Sequence, residues 1–496
     1  MGTLGAAVDR LSRGAVTGTE LNPGARAARW MTAWLAFCVL GGLALRIFGA
    51  QGDLWQDEIW TFSLLRTISS PLGIFLDISA DNNHFLNTLY LYFVGPDASP
   101  LAQRALSVLL GTATIVAVAV LLRRAHWTAA ALGIACFAFG YPLVHYGSEA
   151  RGYAGYLLFS IVSIDLVERE LAETSRGNRI WLGVSNLLGT LFQPIMVGNV
   201  AVLIGWSIWY RWRHGATPRQ ALANTQRTFS ITVRLLIAVL VLAVIAVYRV
   251  GSFKILNSEH FTPETFIRGY GGMLRFLLGI PQAVPSWAAL AATLRATALV
   301  LFALRARLGS RGGFYALAIF GLPAALFCAQ LPNLAIYRYY LLPSVALLLL
   351  LTELITLAWR SGGWQRILAL ILCAGFALGN AVELAAFYRY GRGEYQAVTR
   401  TIGESDSPKV TGNFDGVINT MLDFYAARLH LPVDYVSNQA FCGSGAGWLI
   451  ETMDQPVPQP DEISFGGPAC PTLFRKAAEY PAWGLSGWTW TLYRAE

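Results

Sequence analysis

Four polar clusters in this chain carry residue types suited to group transfer. The first is Leu54-Trp55-Gln56-Asp57-Glu58-Ile59-Trp60-Thr61, two adjacent carboxylates between tryptophans. The others are Asp81-Asn82-Asn83-His84, Ser148-Glu149-Ala150-Arg151-Gly152-Tyr153 and Tyr337-Arg338-Tyr339-Tyr340. A carboxylate can take a hydroxyl proton as general base. Arginine grips phosphate through forked hydrogen bonds. Together they suit transfer of a group from a phosphate-linked donor to a hydroxyl acceptor. Each residue also has an ordinary reading. Asp57 and Glu58 could be solvated loop acids, and Arg151 an ion-pair partner of Glu149 or a snorkelling cation. Arg338 could pair structurally or cap a span, His84 could be a loop histidine, and Asp81 could cap the following helix.

The elements that must position these clusters are membrane spans. The chain has 496 residues, of which 55% are hydrophobic and only 13% charged. A soluble protein carries roughly 25% charged residues. Apolar runs of about 20 residues recur, which places the chain among polytopic membrane proteins. The net charge of +8 does not indicate nucleic acid: arginines concentrate in short loops between apolar runs, as the positive-inside bias requires, and form no basic stripe. No Walker loop, dinucleotide fingerprint or HExxH motif is present.

The pattern predicts about eleven spans. Residues 1–29, with Arg10, Arg13, Arg26 and Arg29, read as a disordered cytoplasmic tail. Trp30–Ala50 reads as a retained first span, too long for a signal-peptide core. Residues 51–100 form a long outer loop, in which Phe85–Val94 is too short to span and reads as an interfacial helix. The next spans are Leu101–Leu122, which ends at Arg123-Arg124, then Trp127–Tyr146 and Gly152–Val167. A hairpin follows, Ile180–Phe192 with Ile195–Tyr210, and a basic inner loop from Arg211 to Arg227. Phe229–Tyr248, Ser286–Leu304, Phe314–Leu331, Tyr339–Trp359 and Ile367–Phe387 complete the set, with an interfacial helix near Met273–Leu278. The N-terminus is then cytoplasmic. All four polar clusters fall on the outer face, although other arginines set the orientation.

Tyr388–Glu496 changes character: Gly, Pro, Asn and Asp run throughout and no spanning run occurs. It reads as a small α/β extracytoplasmic domain, with helices at Glu394–Glu404 and Gly416–Leu429. Its strands are expected at Lys409–Thr411, Val433–Val436 and Trp488–Tyr493. In an oxidising compartment Cys442 and Cys470 are expected to pair; the alternative is two buried thiols.

Outside the cytoplasmic membrane no nucleotide sugar is available, so a donor there must be lipid-linked. At this point the ordered motifs resemble those of the membrane-embedded GT-C glycosyltransferases, in particular the protein O-mannosyltransferase and aminoarabinose-transferase group (glycosyltransferase family 39-like). The residues that carry the resemblance are Asp57-Glu58 opening the first outer loop, the Asn-His element before Phe85–Val94, Leu101-Ala102-Gln103-Arg104-Ala105-Leu106-Ser107 and Ser148–Tyr153. The resemblance covers Trp30 to Phe387 and the outer C-terminal domain. It implies a GT-C fold and Asp57 as catalytic base, with Glu58 positioning acceptor or donor. It places Arg151 at the donor phosphate; Arg338 joins it by position. His84 matches a histidine that in the family precedes two prolines; here Phe85-Leu86 stand in their place. Asp81, His84, Glu149 and Tyr153 are the candidate substrate-binding residues.

The activity implied is inverting transfer of a sugar from a polyprenyl-phosphate donor to an envelope glycan, lipid or protein hydroxyl. The alternatives are a secondary transporter or flippase of lipid-linked sugars, and a non-catalytic glycan-binding scaffold. No cofactor is certain. A divalent metal held by Asp57 with Glu58 is the one reading left open, without a His-rich ligand set behind it.

Overall fold

In the computed structural model the described residues are 23–496, apart from 124, 255–258, 306, 454–456 and 469. Most of residues 1–29, and Arg124, therefore lie outside the described residues. Among the described residues seven helices are long and apolar enough to cross a membrane: Arg29–Gly49, Pro100–Leu122, Pro218–Val250, Ser286–Ala303, Arg311–Cys328, Tyr337–Ser361 and the run from Gly363. Four more of the expected spans are helices that are shorter or more polar: Trp127–Phe139, Tyr153–Ala172, Arg176–Phe192 and Met196–Arg213. The chain is a multi-pass helical membrane protein. Its long helices turn large apolar side chains outward, among them Leu240, Val241 and Val244 on Pro218–Val250 and Leu370 and Ile371 on Gly363–Tyr390. Such a surface is stable against lipid and not against water.

Several helix starts follow from local chemistry. Ser99-Pro100, Thr217-Pro218 and Thr262-Pro263 each place a hydroxyl cap before a proline at the first helical position. The hydroxyl accepts an otherwise orphaned backbone N–H, and proline's fixed φ suits that position. These caps correct two expectations. The basic loop from Arg211 to Arg227 is mostly helical, because Thr217 starts the long helix Pro218–Val250 and Arg211 bonds Thr225 and Thr228 on it. The helix expected near Met273–Leu278 begins earlier, at Pro263. The span expected at Trp127–Tyr146 breaks at Gly140, which is extended between Trp127–Phe139 and Tyr141–Tyr146. The first helix starts at Pro23, ahead of Trp30.

The C-terminal domain is a six-stranded mixed sheet with the order β2-β1-β3-β6-β5-β4. Its strands are β1 Lys409–Gly412, β2 Asp434–Tyr435, β3 Trp448–Met453, β4 Glu462–Phe465, β5 Thr472–Tyr480 and β6 Thr489–Ala495. β1 pairs in parallel with β2 and β3, and the remaining pairs are antiparallel. Cys442 and Cys470 form a disulfide. Helices Tyr395–Gly403 and Asp415–Leu429 lie between this sheet and the segment after the first span. They share one apolar core with it: Leu54, Trp55, Ile59 and Phe62 pack with Tyr395, Val398, Met421, Phe424 and Tyr425. Tyr425 donates to the Leu54 carbonyl at 2.8 Å, and the Gln396 N–H donates to Asp53 Oδ2 at 2.7 Å. The segment leading to Asp57 is thus held by the C-terminal domain.

Candidate active site

Asp57 and Glu58 do not sit in a loop. They occupy the first turn of a helix, Gln56–Leu65, where carboxylates complement the positive end of the helix dipole. Glu58 at the third position accepts the Trp55 N–H at 3.1 Å and closes the helix start. It is fully buried and bidentate to Arg104, at 2.8 and 2.6 Å, and also takes the Ala150 N–H at 2.6 Å. Burial alone would raise the Glu58 carboxyl; the Arg104 charge and these bonds hold it below its usual value. Arg104 in turn donates to the carbonyls of Ala50, Gln51, Gly52 and Asp53 and so holds the end of the first span. Glu58 lines neither cavity described below. Its expected place beside the substrates is corrected: its hydrogen bonds are spent inside the fold.

Asp57 has the opposite surroundings. It is 8% exposed, and its Oδ2 receives Arg151 Nη1 at 2.6 Å and Arg338 Nη2 at 3.1 Å. Arg151 uses three nitrogens on three partners: Nη1 on Asp57, Nη2 on Asn82 Oδ1 at 2.6 Å, and Nε on His84 Nε2 at 3.2 Å. Its guanidinium lies 5.0 Å from the Tyr153 ring centre. Asn82 also donates to the Asp57 carbonyl at 2.7 Å. His84 caps the helix Phe85–Val94 and is buried. Because its Nε2 accepts from a guanidinium, it is neutral; burial, then the Arg151 and Arg338 charges, push it well below the usual histidine value.

Glu149 is buried, accepts from Trp55 Nε1 at 2.8 Å and from the Ser486 hydroxyl at 3.3 Å, and lies 3.9 Å from Arg151. Burial pushes its carboxyl up against the pull of Arg151. Asp81 is also pushed up by burial, and its Oδ1 is enclosed without a hydrogen-bond partner.

All eight expected residues except Glu58 therefore converge on one site. Asn82, Trp55 and Ser486 complete it, while Arg104 holds Glu58 and the end of the first span behind it. Asn82 and Arg104 stand inside the motifs quoted above, and a lone arginine near the start of an apolar span is a signal in its own right. Ser486, in a glycine-rich loop of the C-terminal domain, leaves no such trace.

Two cavities meet here. One, of about 410 Å³, is lined at its polar end by Asp81, Arg151, Tyr153 and Arg338, and runs along Pro194, Ile195, Leu236, Leu240, Ala243 and Val247. Leu240 and Val247 are exposed on the lipid-facing side of their helix. The other, of about 270 Å³, reaches Asp57 and Arg338 from the C-terminal domain, between Gln56, Phe414 and Trp488. Arg338 lines both. Among the described residues no three His, Cys, Asp or Glu side chains converge as a cation set. Asp57 and Glu58 face different arginines, so the pair does not fit a metal ion.

At the opposite ends of the helices a second charged layer forms. Arg123 pairs with Asp165 at 2.7 Å, and Arg311 joins Glu168 to Glu353. This is the side to which the positive-inside bias assigns the arginines.

No family model matches the chain, and no curated protein matches it. Solved structures are similar at low identity. ArnT from Cupriavidus metallidurans in the apo state is 13% identical, over 93% of this chain and 98% of that one, with a TM-score of 0.46. The same protein bound to undecaprenyl phosphate gives 13%, 94%, 97% and 0.44. The Archaeoglobus fulgidus oligosaccharyltransferase tethered with an acceptor peptide gives 10% identity, over 85% of this chain and 69% of that one, with a TM-score of 0.49. Against that oligosaccharyltransferase with zinc and sulfate the chain spans about two thirds, 67%, of the length.

Proposed function

We propose that this protein is an inverting glycosyltransferase of the GT-C class. It moves a sugar from a polyprenyl-phosphate donor to a hydroxyl acceptor on the outer face of the cytoplasmic membrane, with its N-terminus cytoplasmic. One observation carries the reading: a single carboxylate oxygen, Asp57 Oδ2, is shared by Arg151 and Arg338 where the two cavities meet. The arginines line the cavity with the apolar wall, and Asp57 lines the polar one. A lipid-linked phosphate fits the first, with its tail along Leu236–Val247 and its charge on the guanidiniums. A hydroxyl acceptor fits the second.

In this reading donor phosphate competes with Asp57 for the guanidinium hydrogens and frees the carboxylate to take the acceptor proton. The acceptor oxygen bonds to the anomeric carbon as the bond from that carbon to the phosphate oxygen breaks. The proton passes to Asp57, and the negative charge that grows on the leaving phosphate rests on Arg151 and Arg338. One displacement inverts the centre. Asp81, with its unpartnered Oδ1 in the donor cavity, is placed to hydrogen-bond a donor sugar hydroxyl. Glu149 and His84 hold the frame through Trp55 and Arg151. Glu58 positions Asp57 indirectly, by fixing the helix start.

The test is Asp57→Asn. It retains size and shape and removes the base, so transfer falls about 100- to 10,000-fold while insertion and donor binding persist. Transfer within ten-fold of wild type would remove Asp57 from the mechanism.

A further inference from the structure

We infer that the polar cavity is a saccharide-binding acceptor subsite, built jointly by the membrane helices and the C-terminal domain, so that the hydroxyl glycosylated belongs to a sugar. This rests on the glycosyltransferase reading above.

The cavity's wall on the C-terminal side is the loop Gly484–Trp488. This loop is pinned against the helical core. At Gly487, φ is +104° and a Cβ would lie 2.2 Å from the Arg392 carbonyl oxygen, so only glycine lets the loop settle. Arg392 is itself buried and donates to the carbonyls of Gly49 and His145, at 2.8 and 2.9 Å. The position of Trp488 is thereby set by the membrane helices.

Trp488 is half-buried, meets Phe414 edge-on at 5.8 Å and donates through Nε1 to Gln56 Oε1 at 3.1 Å. Gln56 directly precedes Asp57, so the indole is tied to the residue beside the base. Arg268 and Glu259 also line the cavity and form an ion pair in which both side chains are about half exposed, at 54% and 45%.

Each part fits a sugar ring. Aromatic faces take its C–H surface. Planar amide, carboxylate and guanidinium groups match vicinal hydroxyls with paired donors and acceptors. A peptide bound by strand addition would need an open strand edge. The edge strands here are β2 and β4, and neither contributes to the cavity. An acyl chain would need an apolar wall like that of the other cavity.

The experiment offers purified protein radiolabelled polyprenyl-phosphate hexose and pentose donors, with two acceptor panels: alkyl glycosides, and Ser- or Thr-containing peptides. Wild type transfers to a glycoside. In Trp488→Ala the glycoside KM rises about 3- to 10-fold with kcat little changed, the range an aromatic face contributes. Trp488→Phe restores most of it, and also serves if the alanine variant folds poorly. Transfer to peptides and not to glycosides, or an unchanged KM in both variants, overturns the saccharide subsite while the glycosyltransferase reading stands. If wild type transfers to neither panel and matches Asp57→Asn, that reading falls and the subsite falls with it.

Discussion

Arg151→Lys separates the guanidinium's geometry from its charge. Arg151 places one nitrogen each on Asp57, Asn82 and His84, at 2.6, 2.6 and 3.2 Å. A lysine ammonium is a point charge on a flexible stem and satisfies one such direction at a time. At least two charge-assisted hydrogen bonds are lost, each about 1.5–3 kcal/mol, or about 3–6 kcal/mol in all. Every 1.36 kcal/mol that appears in the transition state is about ten-fold in rate, which brackets the loss at about 150- to 25,000-fold. Arg338 and the lysine keep the positive charge near the phosphate, so donor affinity changes less than turnover. The assay is single-turnover transfer from labelled donor by protein in nanodiscs, with donor binding and the inactivation temperature measured on the same samples. Partial rescue of Arg151→Ala by added guanidinium would locate the effect at this side chain. The reasoning is refuted if Arg151→Lys transfers within ten-fold of wild type, since fork geometry would then be irrelevant.

Glu58→Gln leaves Arg104 buried without its counter-charge, a loss of about 3–5 kcal/mol. Yield and inactivation temperature should fall, while the protein that survives keeps most of its specific activity. A stable but inactive Glu58→Gln would instead make Glu58 part of the chemistry. Glu149 supplies a pH test. Burial raises its carboxyl, so the folded state holds this proton more tightly than the unfolded chain. Its contribution is full below the unfolded value of about 4.3 and is lost as pH rises through the folded value. Across that window wild type should lose thermal stability more steeply than Glu149→Gln, which stays neutral; equal slopes would count against the assignment.

The spans were readable because long apolar runs and clustered arginines are local signals; their ends were less so, because the Thr-Pro starts at Pro218 and Pro263 and the break at Gly140 shift them. The sheet was less so. β3 lies between β1 and β6 and is buried on both faces, so Trp448–Met453 lacks the alternation that marks a half-exposed strand. At the site, sequence supplied the residue types and the structure supplied the partners. Asp57 and Glu58 are adjacent, and adjacency suggested one shared role. On a helix of 3.6 residues per turn, neighbouring side chains point about 100° apart. Once Trp55 starts the helix Gln56–Leu65, the two acids must face different surroundings. Asp57 turns to the cavities and to arginines 94 and 281 positions away in the chain, and Glu58 turns inward to Arg104. Of the adjacent pair only Asp57 is available where the cavities meet, and a single-displacement mechanism needs only one base.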